Sequence, residues 1–203
     1  TSPHLAHYNE RFQIDGVAAE EEELALYFTK VRSAIDRLQA EQGLVLTEFE
    51  VLTVVAFLYF AAHRVDYLVL EVGMGGRLDA TNVVRPKLAV ITRIGLDHIA
   101  VLGGTLAAIA GEKAGIIKPE VPLVLGAQEP EAGTTVRAVA QKSRAALYVA
   151  EELVAICQKD HSLSGQHFDL KLADRLLPDI YIKLLGPHQL ENVATAVCAL
   201  QAL

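Results

Sequence analysis

Three short, nearly unbroken apolar runs constrain this chain most: "DYLVLEV" at 66–72, "KLAVITRI" at 87–94 and "VPLVLG" at 121–126. Runs of this length without alternation are expected of strands covered on both faces, as in parallel sheets. Between the second and third lies a helical pattern over 105–114, with Gly115 as its C-terminal stop. Strand, helix and strand in that order form a βαβ unit, which makes part of the sheet parallel. A helix over 129–144 then leads to a short strand in "ALYVA".

Upstream, "EEEELALYFTKVRSAIDRL" carries apolar residues at 24, 27, 28, 31, 35 and 38, one face of an amphipathic helix with acids in its first turn. A second helix opens at "TEFE", where Thr47 and Glu50 have capping-box spacing. It is apolar nearly all round to Ala62 and is expected to be covered on most sides. Downstream the pattern changes to alternation in "HFDLKL" and "DIYIKLL", with a turn at "ADRLLP" between them. The expected fold is α/β: a mostly parallel sheet flanked by helices with a small antiparallel β appendage. The expected division is a core over 1–150, the appendage over 151–186 and a helix over 187–203. "TSPHL" begins without Met and "HQLENVATAVCALQAL" ends without a stop signal, so both ends read as cuts through a larger protein.

The length, 203 residues with 52% hydrophobic, suits one large domain or a domain with an appendage. A net charge of −7 argues against a duplex nucleic-acid partner, yet leaves room for a locally positive pocket for a small anion. No apolar stretch reaches the roughly 20 residues that span a bilayer. The longest, 51–62, is interrupted by Thr53 and reads as a buried helix. Cys157 and Cys198 read as reduced core residues. A cytoplasmic monomer without nucleic-acid or membrane partners is expected.

Ligands of open parallel sheets sit outside the carboxyl ends of the strands. Glu71 closes the first run and leads into "GMGGRLDATN"; Asp97 and His98 follow the second through "RIGLDH". The glycines at 73, 75 and 76 let backbone approach something closely, but no G-x-x-x-x-G-K-[ST] phosphate loop occurs. Glu71 and His98 can share a hard cation, for which a carboxylate is well suited and imidazole less so. The plainer alternative is a salt-bridged Glu, a capping Asp97 and a core-edge His. Lys113 continues the apolar face of Leu106, Ile109 and Ala110. A core-facing lysine either pairs with an acid or loses its proton and becomes nucleophilic; the plainer alternative is snorkelling at a helix end. Ser2, His4, Asn9 and Arg11 form a polar patch near the start, and His188, Gln189 and Asn192 open the last helix, where capping would also account for them.

Taken together, "TSPHLAHYNERFQIDG", "LTEFEVLTVVAFLYFA", "LEVGMGGRLDATNVV", "VITRIGLDHIAVLGGTLAAIAGEKAGIIKP" and "GPHQLENVATA" resemble the folylpolyglutamate synthase and dihydrofolate synthase family of the Mur ligase superfamily. The likeness runs in order along essentially the whole chain and is weakest over 145–185. It implies an ATP-dependent amide ligase of folate biosynthesis and one-carbon metabolism. ATP phosphorylates a carboxylate of dihydropteroate or a folate, and L-glutamate attacks the acyl phosphate. It further implies Mg²⁺ held by Ser2, Glu71 and His98, and a carbamylated Lys113 acting with His98 and Glu71 in catalysis. Thr47, Glu48, Phe49, Glu50 and Asp79 would line a pterin pocket under a loop from Ser2 to Arg11. Asn192 would touch the nucleotide, with His188 and Gln189 close by.

Two departures stand against that resemblance. The family's phosphate loop, just before "TSPHL", and its C-terminal domain are absent from this sequence, so this length alone is expected to be inactive. Arg93 stands where the family usually has Asn, placed to pair with Asp97 or to reach a substrate carboxylate. A non-catalytic pterin-binding module and a Mur-type amino-acid ligase of another pathway remain as alternatives.

Overall fold

A computed structural model describes His4 and residues 6–203. Ser2, expected as a metal ligand, lies outside the described residues. The chain forms two compact units, one of Thr1–Met74 with Asp79–Val83 and one of Gly75–Leu78 with Val84–Leu203. No helix among the described residues is long and apolar enough to cross a membrane.

The first unit opens with a 3-10 turn, Tyr8–Arg11, and a short hairpin of β1 (Gln13–Ile14) and β2 (Val17–Ala18). Helix α1 (Glu21–Gln42) starts with three acids in its first turn, where the helix dipole favours them, and ends at Gly43 in the left-handed conformation (φ 66°). Helix α2 (Glu48–His63) follows. Leu24, Tyr27 and Val31 of α1 pack with Leu52, Val55 and Tyr59 of α2, and Phe12 and Ala19 complete this core. Tyr59 sits at its centre, edge-on to Phe12 and Tyr27 at centroid distances of 6.4 and 6.1 Å. Burial raises the Tyr59 hydroxyl above its ordinary pKa. Over 51–60, α2 is covered on most sides as expected, with one exposed stripe. Val54 and Leu58, one turn apart, are 42% and 39% exposed. A helix that is apolar all round carries no stripe in its sequence to tell which face its neighbour takes.

The strand expected over 66–72 is also absent. No sheet ladder among the described residues includes it, and Tyr67 and Val69 are 80% and 95% exposed. An apolar run records what a segment can bury; a strand also needs a neighbour to exchange N–H and C=O bonds with.

In the second unit the elements are β3 (Ala89–Ile91), α3 (Ile99–Leu102), α4 (Leu106–Ala114), β4 (Leu123–Leu125), α5 (Pro130–Lys142), β5 (Leu147–Val149), α6 (Ala150–Leu153), β6 (Val154–Ser162), β7 (Gly165–Leu172), β8 (Arg175–Ile182) and α7 (Pro187–Ala202). The sheet β3-β4-β5 is wholly parallel, with Ala89 opposite Leu123 and Leu123 opposite Leu147. Its connections run through α4 and α5, as the βαβ reading requires. Leu123 and Leu125 belong to one core with Ile109 of α4 and Val136 of α5. Val124, pointing the other way, belongs to a second core with Phe168, Leu170, Leu190, Ala194 and Cys198. That double coverage explains the unbroken apolar run.

The antiparallel sheet β6-β7-β8 has strands of nine, eight and eight residues, longer than the three-residue parallel strands. The turn expected over "ADRLLP" narrows to Ala173 and Asp174, and Arg175–Pro178 already belongs to β8. Pro178 is tolerated because β8 is an edge strand and the register with β7 slips there, with Asp179 at φ 56°. Cys198 is buried as expected, whereas Cys157 is exposed.

Candidate functional site

In the first unit the residues expected around a pterin converge at the start of α2. The capping box forms: the Thr47 N–H donates to Glu50 Oε2 at 2.7 Å, its hydroxyl donates to the same oxygen at 2.8 Å, and the Glu50 N–H donates to Thr47 Oγ1 at 3.3 Å. The Glu50 carboxyl is held below its ordinary range, chiefly by the Thr47 backbone N–H. The Tyr8 hydroxyl donates to Glu48 at 2.9 Å, a bond that raises the tyrosine's pKa. His4 stacks near Tyr8 with centroids 4.5 Å apart, and Arg11 donates to His4 Nδ1 at 3.0 Å. Asn9 donates to the Ala19 carbonyl at 3.0 Å. Among its described residues, this segment meets the start of α2 through the Tyr8–Glu48 bond.

Asp79 organises the glycine loop. Its Oδ2 accepts from the N–H groups of Gly73 (3.0 Å) and Met74 (2.9 Å), and its Oδ1 accepts from the Thr81 N–H (2.9 Å) and hydroxyl. A carboxylate offers about four acceptor positions, and Asp79 has four bonds. Asp79 therefore holds the loop in shape. The ring of Phe49 lies against Gly73, where an added Cβ would be 2.6 Å away. Glu71, just before the loop, is exposed.

In the second unit the carboxyl end of β3 is fastened on several sides. Gln128 donates to the Thr92 carbonyl (2.8 Å) and accepts from the Ile94 N–H (3.0 Å). Arg93 does not pair with Asp97. Its Nη2 lies 2.7 Å from Glu129, the N-cap of α5, and its Nη1 lies 3.0 and 3.3 Å from the two oxygens of Glu191 in α7. Glu191 foremost, then Glu129, raise its pKa. These two acids escaped the sequence reading because they lie 98 and 36 residues away, with no local pattern linking them. Beside Glu129, a cavity of about 270 Å³ opens at the carboxyl ends of β4 and β5, lined in part by Gly126, Gln128, Arg137 and Glu151.

His98 caps α3 in a left-handed conformation (φ 51°), with Asp97 accepting from its backbone N–H at 2.7 Å and lying 3.6 Å from its Nε2. His98 itself, rather than Asp97, is thus the N-cap, and no side chain caps the helix. Lys113 lies between the buried Ile109, Ala110 and Ala114 of α4, yet is half-buried rather than enclosed, because it stands one residue from the helix end. The adjacent Glu112 side chain is taken by Arg77 at 3.0 Å. Gly76 and Gly115 allow that approach: a Cβ on Gly76 would lie 2.8 Å from the carbonyls of Glu112 and Lys113, and one on Gly115 would meet Arg77 Cβ. The glycines therefore serve close backbone packing inside each unit. At the start of α7, Asn192 donates to Gln189 at 3.2 Å, and Gln189 lies 3.3 Å from His188 Nε2, so the three form one polar string.

No group of three or more His, Cys, Asp or Glu suited to a metal occurs among the described residues. Mg²⁺ does not require one, since it keeps several waters and binds through one or two carboxylates plus substrate phosphates.

The Mur ligase middle domain matches residues 24–200. The dihydrofolate synthase/folylpolyglutamate synthase of Bacillus subtilis is 38% identical over the whole chain, which spans 47% of that relative. A solved structure described as an FPGS–AMPPCP–folate complex superposes with a TM-score of 0.93 at 36% identity, over all of this chain and 50% of that one. The folylpolyglutamate synthase of Mycobacterium tuberculosis complexed with ADP gives 0.91 at 36% identity, over all of this chain and 46% of that one. The chain thus spans about half the length of these relatives. With the middle-domain match covering most of its residues, the chain belongs to the Mur ligase middle-domain family.

Proposed function

We propose that the chain serves an ATP-dependent ligase that joins L-glutamate to dihydropteroate or a folate through an acyl phosphate. The observation that carries this reading is the 38% identity along the whole chain to a dihydrofolate synthase/folylpolyglutamate synthase. The glycine loop, the Glu48–Phe49 start of α2 and the polar start of α7 lie within that match. In the first step an oxygen of the acceptor carboxylate attacks the γ-phosphorus of ATP and ADP leaves. In the second, the glutamate amine attacks the acyl carbon, loses a proton, and phosphate departs.

The chain's residues divide this work. Glu48 and Phe49 meet the pterin, and Thr47, Glu50 and Asp79 hold the loop and helix that present them. His188, Gln189 and Asn192 meet the nucleotide. By the family likeness, Glu71 in the first unit is a candidate carboxylate ligand for Mg²⁺ and His98 in the second a candidate imidazole ligand, and such an ion leaves most of its positions to phosphate and water oxygens. When bound, Mg²⁺ neutralises the charge on the transferring phosphoryl group. Lys113, as a carbamate formed when its neutral amine adds to CO₂ and releases a proton, supplies an anion on α4. Substrates of this kind, and ATP, fit a cytoplasmic setting.

The test is to incubate the full-length protein with ATP, L-glutamate and either dihydropteroate or tetrahydrofolate, and to identify products by mass spectrometry. Glutamate adducts formed with release of ADP and phosphate, and lost in Glu71→Ala, are expected. ATP-dependent ligation of another amino acid to a non-pteroyl acceptor, with neither pteroyl compound used, would overturn the reading. So would pterin binding without turnover.

A further inference from the structure

We propose that Arg93 is a positioning residue for the nucleotide, acting by fixing the first turns of α7 against the carboxyl end of β3. This rests on the reading above, in which those turns meet the nucleotide.

One guanidinium joins three elements. Arg93 leaves the end of β3, reaches Glu129 at the N-cap of α5 at 2.7 Å, and meets both oxygens of Glu191 in α7 at 3.0 and 3.3 Å. A planar fork can serve two carboxylates with separate nitrogens, which an ammonium cannot reproduce. Glu191 lies in the same turns as the polar string His188, Gln189 and Asn192. Its carbonyl also accepts from the Thr195 hydroxyl at 2.9 Å, and Thr195 Oγ1 would lie 2.8 Å from a Cβ on Gly126, just past β4. The helix is therefore seated closely on β4 farther along, and Arg93 adds a second tie at its leading end, where Gln166 already donates to the Gly186 carbonyl at 3.1 Å. Without Arg93, Glu129 and Glu191 would face each other across the vacated position with no cation between them, and their repulsion would push the α7 start away from β3.

The experiment compares wild type with Arg93→Met, Arg93→Lys, Glu191→Gln and the Arg93→Met/Glu191→Gln pair in the full-length protein. It reads hydrogen exchange of α7 amides, and kcat and KM for ATP and for the pteroyl acceptor separately. Arg93→Met should speed exchange in the first turns of α7 and raise KM for ATP by about three- to tenfold, with kcat and acceptor KM within about twofold. Arg93→Lys should recover only part of this. The double variant should be no worse than Arg93→Met alone, since the like-charge contact is removed. Unchanged α7 exchange in Arg93→Met and Glu191→Gln would overturn the clamp, as would a loss shared equally by kcat and both KM values. Faster exchange with unchanged ATP KM would overturn the nucleotide role. Should Arg93→Met fail to fold, Arg93→Lys and Glu191→Gln carry the same comparison. The exchange arm needs no turnover, so an absence of ligase activity in the wild type would count against the proposed reaction and leave the clamp separately measured.

Discussion

The ring of Phe49 occupies the space that a side chain at residue 73 would need: a Cβ on Gly73 would stand 2.6, 2.7 and 2.9 Å from three of its carbons. The same Gly73 donates its N–H to Asp79. The glycine is thus pinned from two sides, by a ring on α2 and by a carboxylate from the end of its own loop. Gly73→Ala is expected to force Phe49 aside and to destabilise the protein by about 1–3 kcal/mol, the usual cost of overpacking. Phe49→Leu removes the obstructing ring edge, so Gly73→Ala should cost less in that background. Urea unfolding of the four proteins of the cycle measures the coupling, and additive costs would contradict the contact.

The Thr47–Glu50 pair gives a pH dependence of definite sign. Backbone and hydroxyl donors of Thr47 stabilise the ionised Glu50 carboxylate and lower its pKa in the folded protein. A carboxyl whose folded pKa lies below its unfolded value contributes stability that is present above the ordinary carboxylate range, roughly pH 4.3. That contribution disappears as pH falls through the depressed folded value. Glu50→Gln lacks it at every pH. The urea midpoints of wild type and Glu50→Gln should therefore differ at neutral pH and converge in acid. A gap that stays constant down to the pH of acid unfolding would mean that the bond is neutral-state packing rather than a charged cap.

Local signals were legible where chemistry and neighbourhood coincide in sequence. Thr47 and Glu50 are three residues apart, and the cap formed as the spacing required. The parallel strands announced themselves because Leu123, Val124 and Leu125 are buried on both faces. The run 66–72 carried the same signal without a paired neighbour among the described residues, since apolarity reports burial potential and pairing is non-local. Strand β6 was missed because its second half, "QKDHS", is polar and exposed, leaving no alternation to read. At the site, residue types marked Asp79 and Arg93, but not their partners. The residue types do not announce that Asp79 gathers four donors of its own loop, nor that Glu129 and Glu191 hold Arg93.

Lys113 gives the last prediction. It lies among Ile109, Ala110 and Ala114 in the final turn of α4, half-buried. Its neighbour Glu112 is committed to Arg77, and no carboxylate pairs with Lys113 among the described residues. A lysine so placed adds little to stability, since an exposed or half-exposed cation without a partner contributes under about 1 kcal/mol. As a carbamate in the proposed reaction it would instead supply an anion to the phosphoryl-transfer site, where loss of one oriented charged group costs about 100-fold or more. Lys113→Ala is therefore expected to lower kcat of the full-length protein by about that factor, with the unfolding midpoint nearly unchanged. Short carboxylic acids should restore part of the rate by filling the vacated anion position. In the wild type, stripping bicarbonate from the buffer should depress the rate reversibly. Near-normal turnover in Lys113→Ala, or a rate indifferent to both bicarbonate and added carboxylate, would reduce Lys113 to a helix-end lysine whose stem covers part of the core.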